Sequence, residues 1–205
     1  MSDSYSKFFE PVLFAMLLEK VLYSVDIPVI KETLLMSKPP KIDLLVLKKR
    51  EPGQWTDEQL ARLPDGIRET YASDILLEFK PTESLNENTF QQALAFNFFY
   101  KRVQGLTDEQ VQTFIVSAKQ PHALRLSKWG YVKTELKGVY HNPDNWLLPK
   151  IALLSLNELS NEPHNAWIKC FASRKIEKKR ALQILRRTDF GNPFVIMLER
   201  VFAEL

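Results

Sequence analysis

The run Asp74-Ile75-Leu76-Leu77-Glu78-Phe79-Lys80 constrains this chain more than any other stretch. Its branched and aromatic residues favour a strand, which sets Asp74, Leu76, Glu78 and Lys80 on one face and Ile75, Leu77 and Phe79 on the other. A carboxylate and an ammonium two residues apart then stand side by side. An ordinary solvated strand face carries such a pair too, so its meaning depends on its surroundings. Upstream, Ile42-Asp43-Leu44-Leu45-Val46-Leu47 predicts a second short strand with a single acid among apolar residues.

The elements expected around these strands alternate in type. Residues 6–23 predict an amphipathic helix, with Phe14, Leu17, Leu18, Val21 and Leu22 at helical spacing. Pro11 belongs in a first turn, so the regular helix is expected to begin near Glu10. After the Glu-x-Lys strand, Pro81 stops the ladder and Asn86 or Asn88 is placed to cap a helix over about Thr89 to Val103, in which Phe90, Leu94, Phe98 and Phe99 read as core. Thr113 to Ser117 predicts the next buried strand. Beyond it, Leu124 to about Tyr140 reads as a hairpin and Ile151 to Leu156 as another strand. Helices are expected over about Pro163–Ser173, Arg174–Arg187 and Pro193–Glu204.

An Asp on one strand, Glu-x-Lys on the next, and a following helix with Gln92 four residues before the aromatic Phe96 resemble the PD-(D/E)XK nuclease superfamily, over about residues 6–120. Two details depart from its pattern. Phe96 stands where the superfamily often has a Tyr, and Pro40 lies three residues before Asp43 instead of next to it. The resemblance implies an α/β protein of restriction-endonuclease-like fold, a mixed sheet flanked by helices, with residues 121–205 as a helical C-terminal extension of a single domain. It also implies a Mg²⁺- or Mn²⁺-dependent nuclease acting on DNA. Asp43 and Glu78 would hold the metal, Lys80 would stabilise the transition state, and Gln92 would orient the attacking water or a phosphate. Glu10 and Glu19 are the candidates for the extra acid that some members supply from the first helix. These residue types suit the chemistry, because a hard cation takes carboxylate oxygens and activates water, while an ammonium offsets charge building on the phosphate. Residues 154–185 look like the C-terminal part of the bacterial recombination-promoting nuclease and transposase-like branch.

Thirty-four residues separate Asp43 from Glu78. Among them Thr56-Asp57-Glu58-Gln59 has capping-box form and opens a short helix to Leu63, followed by the turn signal Pro64-Asp65-Gly66. This reads as an insertion at the rim of the site, with Trp55, Arg62 and Arg68 either gripping substrate or forming a surface lid.

At 205 residues, without a long polar linker, the chain fits one domain. A net charge of +3 is too mild to indicate a nucleic-acid binder by itself. Its distribution is more telling: Arg174, Lys175, Lys178, Lys179, Arg180, Arg186 and Arg187 crowd one segment opposed only by Glu177. That segment is either a solvated helix face or, in a nuclease, a contact to the phosphate backbone. Cys170 is the sole cysteine, which excludes an intrachain disulfide, and His122, His141 and His164 are scattered, which leaves no zinc cluster. The chain carries no secretory leader pattern and no apolar run of membrane-spanning length, so a cytoplasmic protein with no membrane partner is expected. The final stripe of Phe194, Leu198, Val201 and Leu205, with Val195 and Phe202 beside it, is either core packing or a homodimer contact. The competing reading of the whole chain is a non-catalytic nucleic-acid-binding or assembly protein that keeps the nuclease fold.

Overall fold

Apolar runs that pair as strands, and helical segments that cover them, build a mixed α/β sheet flanked by helices. The computed structural model describes residues 2–31, 44–49, 54–81, 85–144, 151–188 and 195–198, with side chains from Val12 onward apart from Ile30 and Lys31. The chain runs α1 (Ser2–Tyr23), β1 (Val29–Lys31), β2 (Leu44–Lys48), α2 (Asp57–Leu60), β3 (Asp74–Lys80), α3 (Glu87–Gln104), β4 (Val111–Ser117), α4 (Ala123–Lys128), β5 (Val132–Lys133), β6 (Val139–His141), β7 (Ile151–Ser155), α5 (Pro163–Lys169) and α6 (Lys175–Leu185).

Among the described residues the seven strands lie in the order β1-β2-β3-β4-β7-β6-β5. The first three form an antiparallel meander, β3, β4 and β7 are parallel, and β6 and β5 return antiparallel. A parallel pair needs a crossover, and α3 provides it between β3 and β4. The three parallel strands are almost wholly buried because helices cover both of their faces.

The alternation within β3 assigns the two faces. Ile75, Leu77 and Phe79 join the larger core cluster with Phe14, Leu17 and Leu18 of α1 and Ala181 and Leu185 of α6. Phe14 stacks on Phe79 at 4.3 Å between ring centroids. Leu76 points the other way and packs with Leu44, Val46, Phe96 and Tyr100 under α3. Val195 and Leu198 are buried in the larger cluster, so within residues 195–198 the C-terminal stripe is core. The remaining stripe positions, Phe194, Val201, Phe202 and Leu205, lie outside the described residues.

Three expectations change, and one strand is added. The helix α1 begins at Ser2 and passes through Pro11, which removes a single i→i−4 hydrogen bond and so does not end it. Strand β1, only three residues long, has no period of its own and forms by pairing with β2. Leu124 lies in α4 instead of a hairpin arm; the hairpin is confined to β5 and β6, where Val132 pairs with His141. Phe98 and Phe99 are exposed, because the sheet-facing positions of α3 are Phe90, Ala93, Phe96, Asn97 and Tyr100. A run of aromatics wraps around a helix, and only one face of it meets the sheet.

The cap of α3 was legible. Asn86 Oδ1 accepts from the Thr89 backbone N–H at 3.0 Å and from its hydroxyl at 3.2 Å. Replacing Asn86 by Ala is expected to cost about 1 kcal/mol of stability. Denaturant unfolding checks this, and an unchanged midpoint would count against the cap.

Candidate active site

Glu78 is a carboxylate where packing alone would place an apolar residue. Its Cα partners across the sheet are Leu44 of β2 and Ile115 of β4, so a leucine and an isoleucine flank it on the α3 face. It is 2% exposed. A buried carboxylate costs several kcal/mol unless a partner compensates it. Lys80, next along the same face, brings Nζ to 2.7 Å from Glu78 Oε1. The same Nζ donates to Oε1 of Gln92, on the first turns of α3, at 3.4 Å. Strand alternation and the β3–α3 crossover thus converge three of the expected site residues at the carboxyl end of β3.

Phe96, one turn beyond Gln92, is buried against Leu44, Val46 and Leu76 and serves packing. Asp43 lies outside the described residues; it immediately precedes Leu44, whose Cα pairs with that of Glu78. Glu10 and Glu19 are both on α1, which packs on the Phe79 face, whereas Glu78 is turned to the α3 face. Among the described residues no three His, Cys, Asp or Glu side chains stand together as a metal cluster. Glu78 offers a hard cation one buried carboxylate, of which Oε1 is paired with Lys80.

At the amino end of β3, Asp74 has a different task. Its carboxylate accepts from Tyr100 Oη at 2.6 Å and from Ser73 Oγ at 2.9 Å, and pairs with Lys48 Nζ at 3.2 Å. Burial and the neighbouring carboxylate both push the Tyr100 phenol far up, so it stays a donor. These contacts tie β2, β3 and α3 together.

The described part of the insertion, residues 54–73, does not rim this site. Leu63, Ile67 and Trp55 are buried in the cluster on the opposite face of the sheet. Trp167 Nε1 donates to the Arg62 carbonyl at 2.8 Å, and Arg68 Nε lies 3.7 Å from Glu69 Oε1. Lys49 lies 4.3 Å from the centre of the Trp55 ring. Burying these apolar side chains against α5 outweighs leaving them in solvent to wait for a substrate.

The basic segment is mostly surface. Arg174, Lys175, Lys179, Arg180, Arg186 and Arg187 are exposed and Lys178 is half-buried. Glu177 is buried, with Lys169 Nζ at 2.8 Å and Arg180 at 3.0 Å, and these cations help hold its carboxyl below the usual range against the opposing effect of burial. Arg174 leaves the rest of the group and reaches Gln120 Oε1 at 2.7 Å, at the carboxyl end of β4. There it lines a cavity of about 480 Å³ with Ser117, Lys119, His122, Arg125 and Trp129. Lys119, Arg125 and Trp129 follow no short motif, and nothing in the local sequence set them apart.

Searches against protein-family models, curated proteins and solved structures find no match to this chain. Among the described residues no helix is long and apolar enough to cross a membrane.

Proposed function

We propose that the protein is a Mg²⁺- or Mn²⁺-dependent nuclease of restriction-endonuclease-like fold that hydrolyses DNA phosphodiester bonds. The observation that carries this reading is the buried Glu78 carboxylate, set between apolar strand neighbours and bonded to Lys80, which also contacts Gln92. Sites where sequence and fold disagree locally, with a charge retained in a core position, are enriched in function. The succession of a helix, three antiparallel strands, a crossover helix and a parallel strand supports the same assignment.

Glu78, with Asp43, would hold the cation. When bound, that cation lowers the pKa of a water and offsets charge on the scissile phosphate. Lys80 keeps an ammonium beside the same phosphate, where it stabilises the additional negative charge of the transition state. The Gln92 amide orients the water or a phosphate oxygen by hydrogen bonding. Its contact with Lys80 holds both side chains near the reacting group.

Plasmid and single-stranded DNA incubated with Mg²⁺, Mn²⁺ or chelator provide the test. Cleavage with either cation and none with chelator is expected; intact substrates under every condition would overturn the reading. The exposed basic helix supplies a further prediction. Neutralising Lys178, Lys179 and Arg180 together should weaken binding to all sequences about equally and flatten the slope of log affinity against log salt by roughly 0.9 per lost duplex phosphate contact. Cleavage at saturating DNA should persist. A titration series between low and moderate salt checks this, and an unaltered slope would assign these residues to a solvated face.

A further inference from the structure

The two ends of the parallel strands differ in charge. At the amino end, a cavity of about 490 Å³ is bordered by Glu69, Asp108 and Glu109, which repel a polyanion. Among the described residues that line the carboxyl-end cavity the charged ones are Lys119, Arg125 and Arg174, and none is an Asp or Glu. Ligands of open parallel sheets bind outside the carboxyl ends of the strands, and this is the end that carries Lys80.

Two of the three cations are held in position by neutral groups. Arg125 donates to the Leu85 carbonyl at 3.3 Å and Arg174 to Gln120 Oε1 at 2.7 Å. A guanidinium carries five donors, so one such bond orients the group without exhausting it. The cavity also has an aromatic wall. Trp129 is half-buried and braced edge-on by Phe90, with ring centroids 4.5 Å apart. Its carbonyl accepts from Asn142 Nδ2 at 2.5 Å, and the chain turns away through Gly130 at φ 74°, with Asn142 packed where a Cβ would project. Ser117, on the cavity floor, is the Cα partner of Lys80 across β3 and β4. The cavity and the Glu78–Lys80–Gln92 group are therefore neighbours on one face of the sheet.

From these contacts we infer that the cavity seats one unpaired nucleotide of the substrate strand, its phosphate on Lys119, Arg125 and Arg174 and its base against Trp129. The inference rests on the nuclease reading and deepens it by naming the strand state of the substrate. Guanidinium groups match phosphate geometry. An aromatic wall accepts any base by stacking, but only a base that is out of the duplex. A volume of about 480 Å³ takes a small ligand and not a stacked duplex.

The test is binding measured in chelator, where turnover plays no part. Fluorescence anisotropy compares a labelled single-stranded oligonucleotide with a duplex closed by hairpin loops of an inert linker. The wild type is expected to prefer the single strand. Lys119→Gln combined with Arg125→Gln, both at exposed positions, should lower single-strand affinity about tenfold or more. Trp129→Leu should lower it roughly five- to a hundredfold, the range of one base–aromatic stack, and Trp129→Phe should restore most of it. Closed-duplex affinity should not respond to Trp129→Leu. An unaltered single-strand affinity in the doubly substituted protein overturns the inference, as does equal loss for single strand and closed duplex in Trp129→Leu, or no single-strand binding by the wild type. If Trp129→Leu unfolds, the Trp129→Phe and surface-cation variants still decide. Lost binding in a protein that never cleaves DNA leaves the cavity standing and removes the nuclease reading. Cleavage with unchanged KM in the cation variants does the reverse.

Discussion

Replacement of Glu78 or Asp43 by Ala is expected to reduce metal-dependent cleavage by about a thousandfold or more, because each removes an acid proposed to hold the cation. Glu78 is the sharper test, since its place between Leu44 and Ile115 and its contact with Lys80 are defined in the structure. Stability should fall, because Glu78→Ala leaves the largely buried Lys80 ammonium without its carboxylate, so folding is checked by circular dichroism beside the cleavage assay. Lys80→Ala should leave cation binding largely intact while turnover collapses. A Mn²⁺ titration run beside the cleavage assay separates the two roles. Full activity in Glu78→Ala would end the assignment, and loss of Mn²⁺ binding in Lys80→Ala would remove the role given to that lysine.

The largest effect on stability is expected at Asp65, in the turn of the insertion. Its carboxylate accepts from Asn165 Nδ2 at 2.6 Å and Ser160 Oγ at 3.0 Å, and His164 Nε2 lies 2.7 Å from the other oxygen. The Asp65 backbone N–H donates to Asn165 Oδ1 at 2.9 Å. Asp65→Ala strips the acceptor from three groups, two of them on α5, and should cost roughly 3–5 kcal/mol, a large part of a typical folding free energy. Equilibrium unfolding measures this; a loss under about 1 kcal/mol would show that the loop is held by its apolar contacts alone.

The same carboxylate predicts acid sensitivity. Burial raises the Asp65 pKa, but hydrogen bonds from His164, Asn165 and Ser160 together outweigh it and hold the group below the ordinary aspartate range. The folded protein therefore binds fewer protons here than the unfolded chain. The resulting stabilisation is fully present above about pH 4 and is lost as pH falls through the unfolded and then the folded value. Glu158 and Glu177 are also lowered and add in the same direction, while Glu69, raised mainly by burial, opposes them. Stability measured from pH 6 to 3 should decline less steeply in Asp65→Ala than in the wild type.

Local geometry explains which features were readable. Side-chain direction alternates along a strand whatever its neighbours, so residues 74–80 announced their length, their two faces and the Glu78–Lys80 pair. The capping box at Thr56 and the cap at Asn86 are set by residues three apart, and both formed. Gln92 was reachable because a single crossover returns it over its own strand, 12 residues after Lys80. Phe98 and Phe99 were misplaced because hydrophobicity alone does not say which face of a helix meets the sheet.

Sequence by itself determined the strand and helix periods, the caps, the alternation of apolar and chemical residues on β3, and the separation of one basic segment from an otherwise balanced chain. Tertiary structure decided what those pieces meet. It turned the described part of the insertion, residues 54–73, to the face away from Glu78, with Asp65 paired to Asn165 across 100 residues. It also gathered Lys119, Arg125 and Arg174 around one cavity beside Lys80. The division has one cause: periodicity and capping are properties of a few consecutive residues, whereas the partner of a buried face is chosen by how much surface and how many hydrogen bonds the whole chain can satisfy at once.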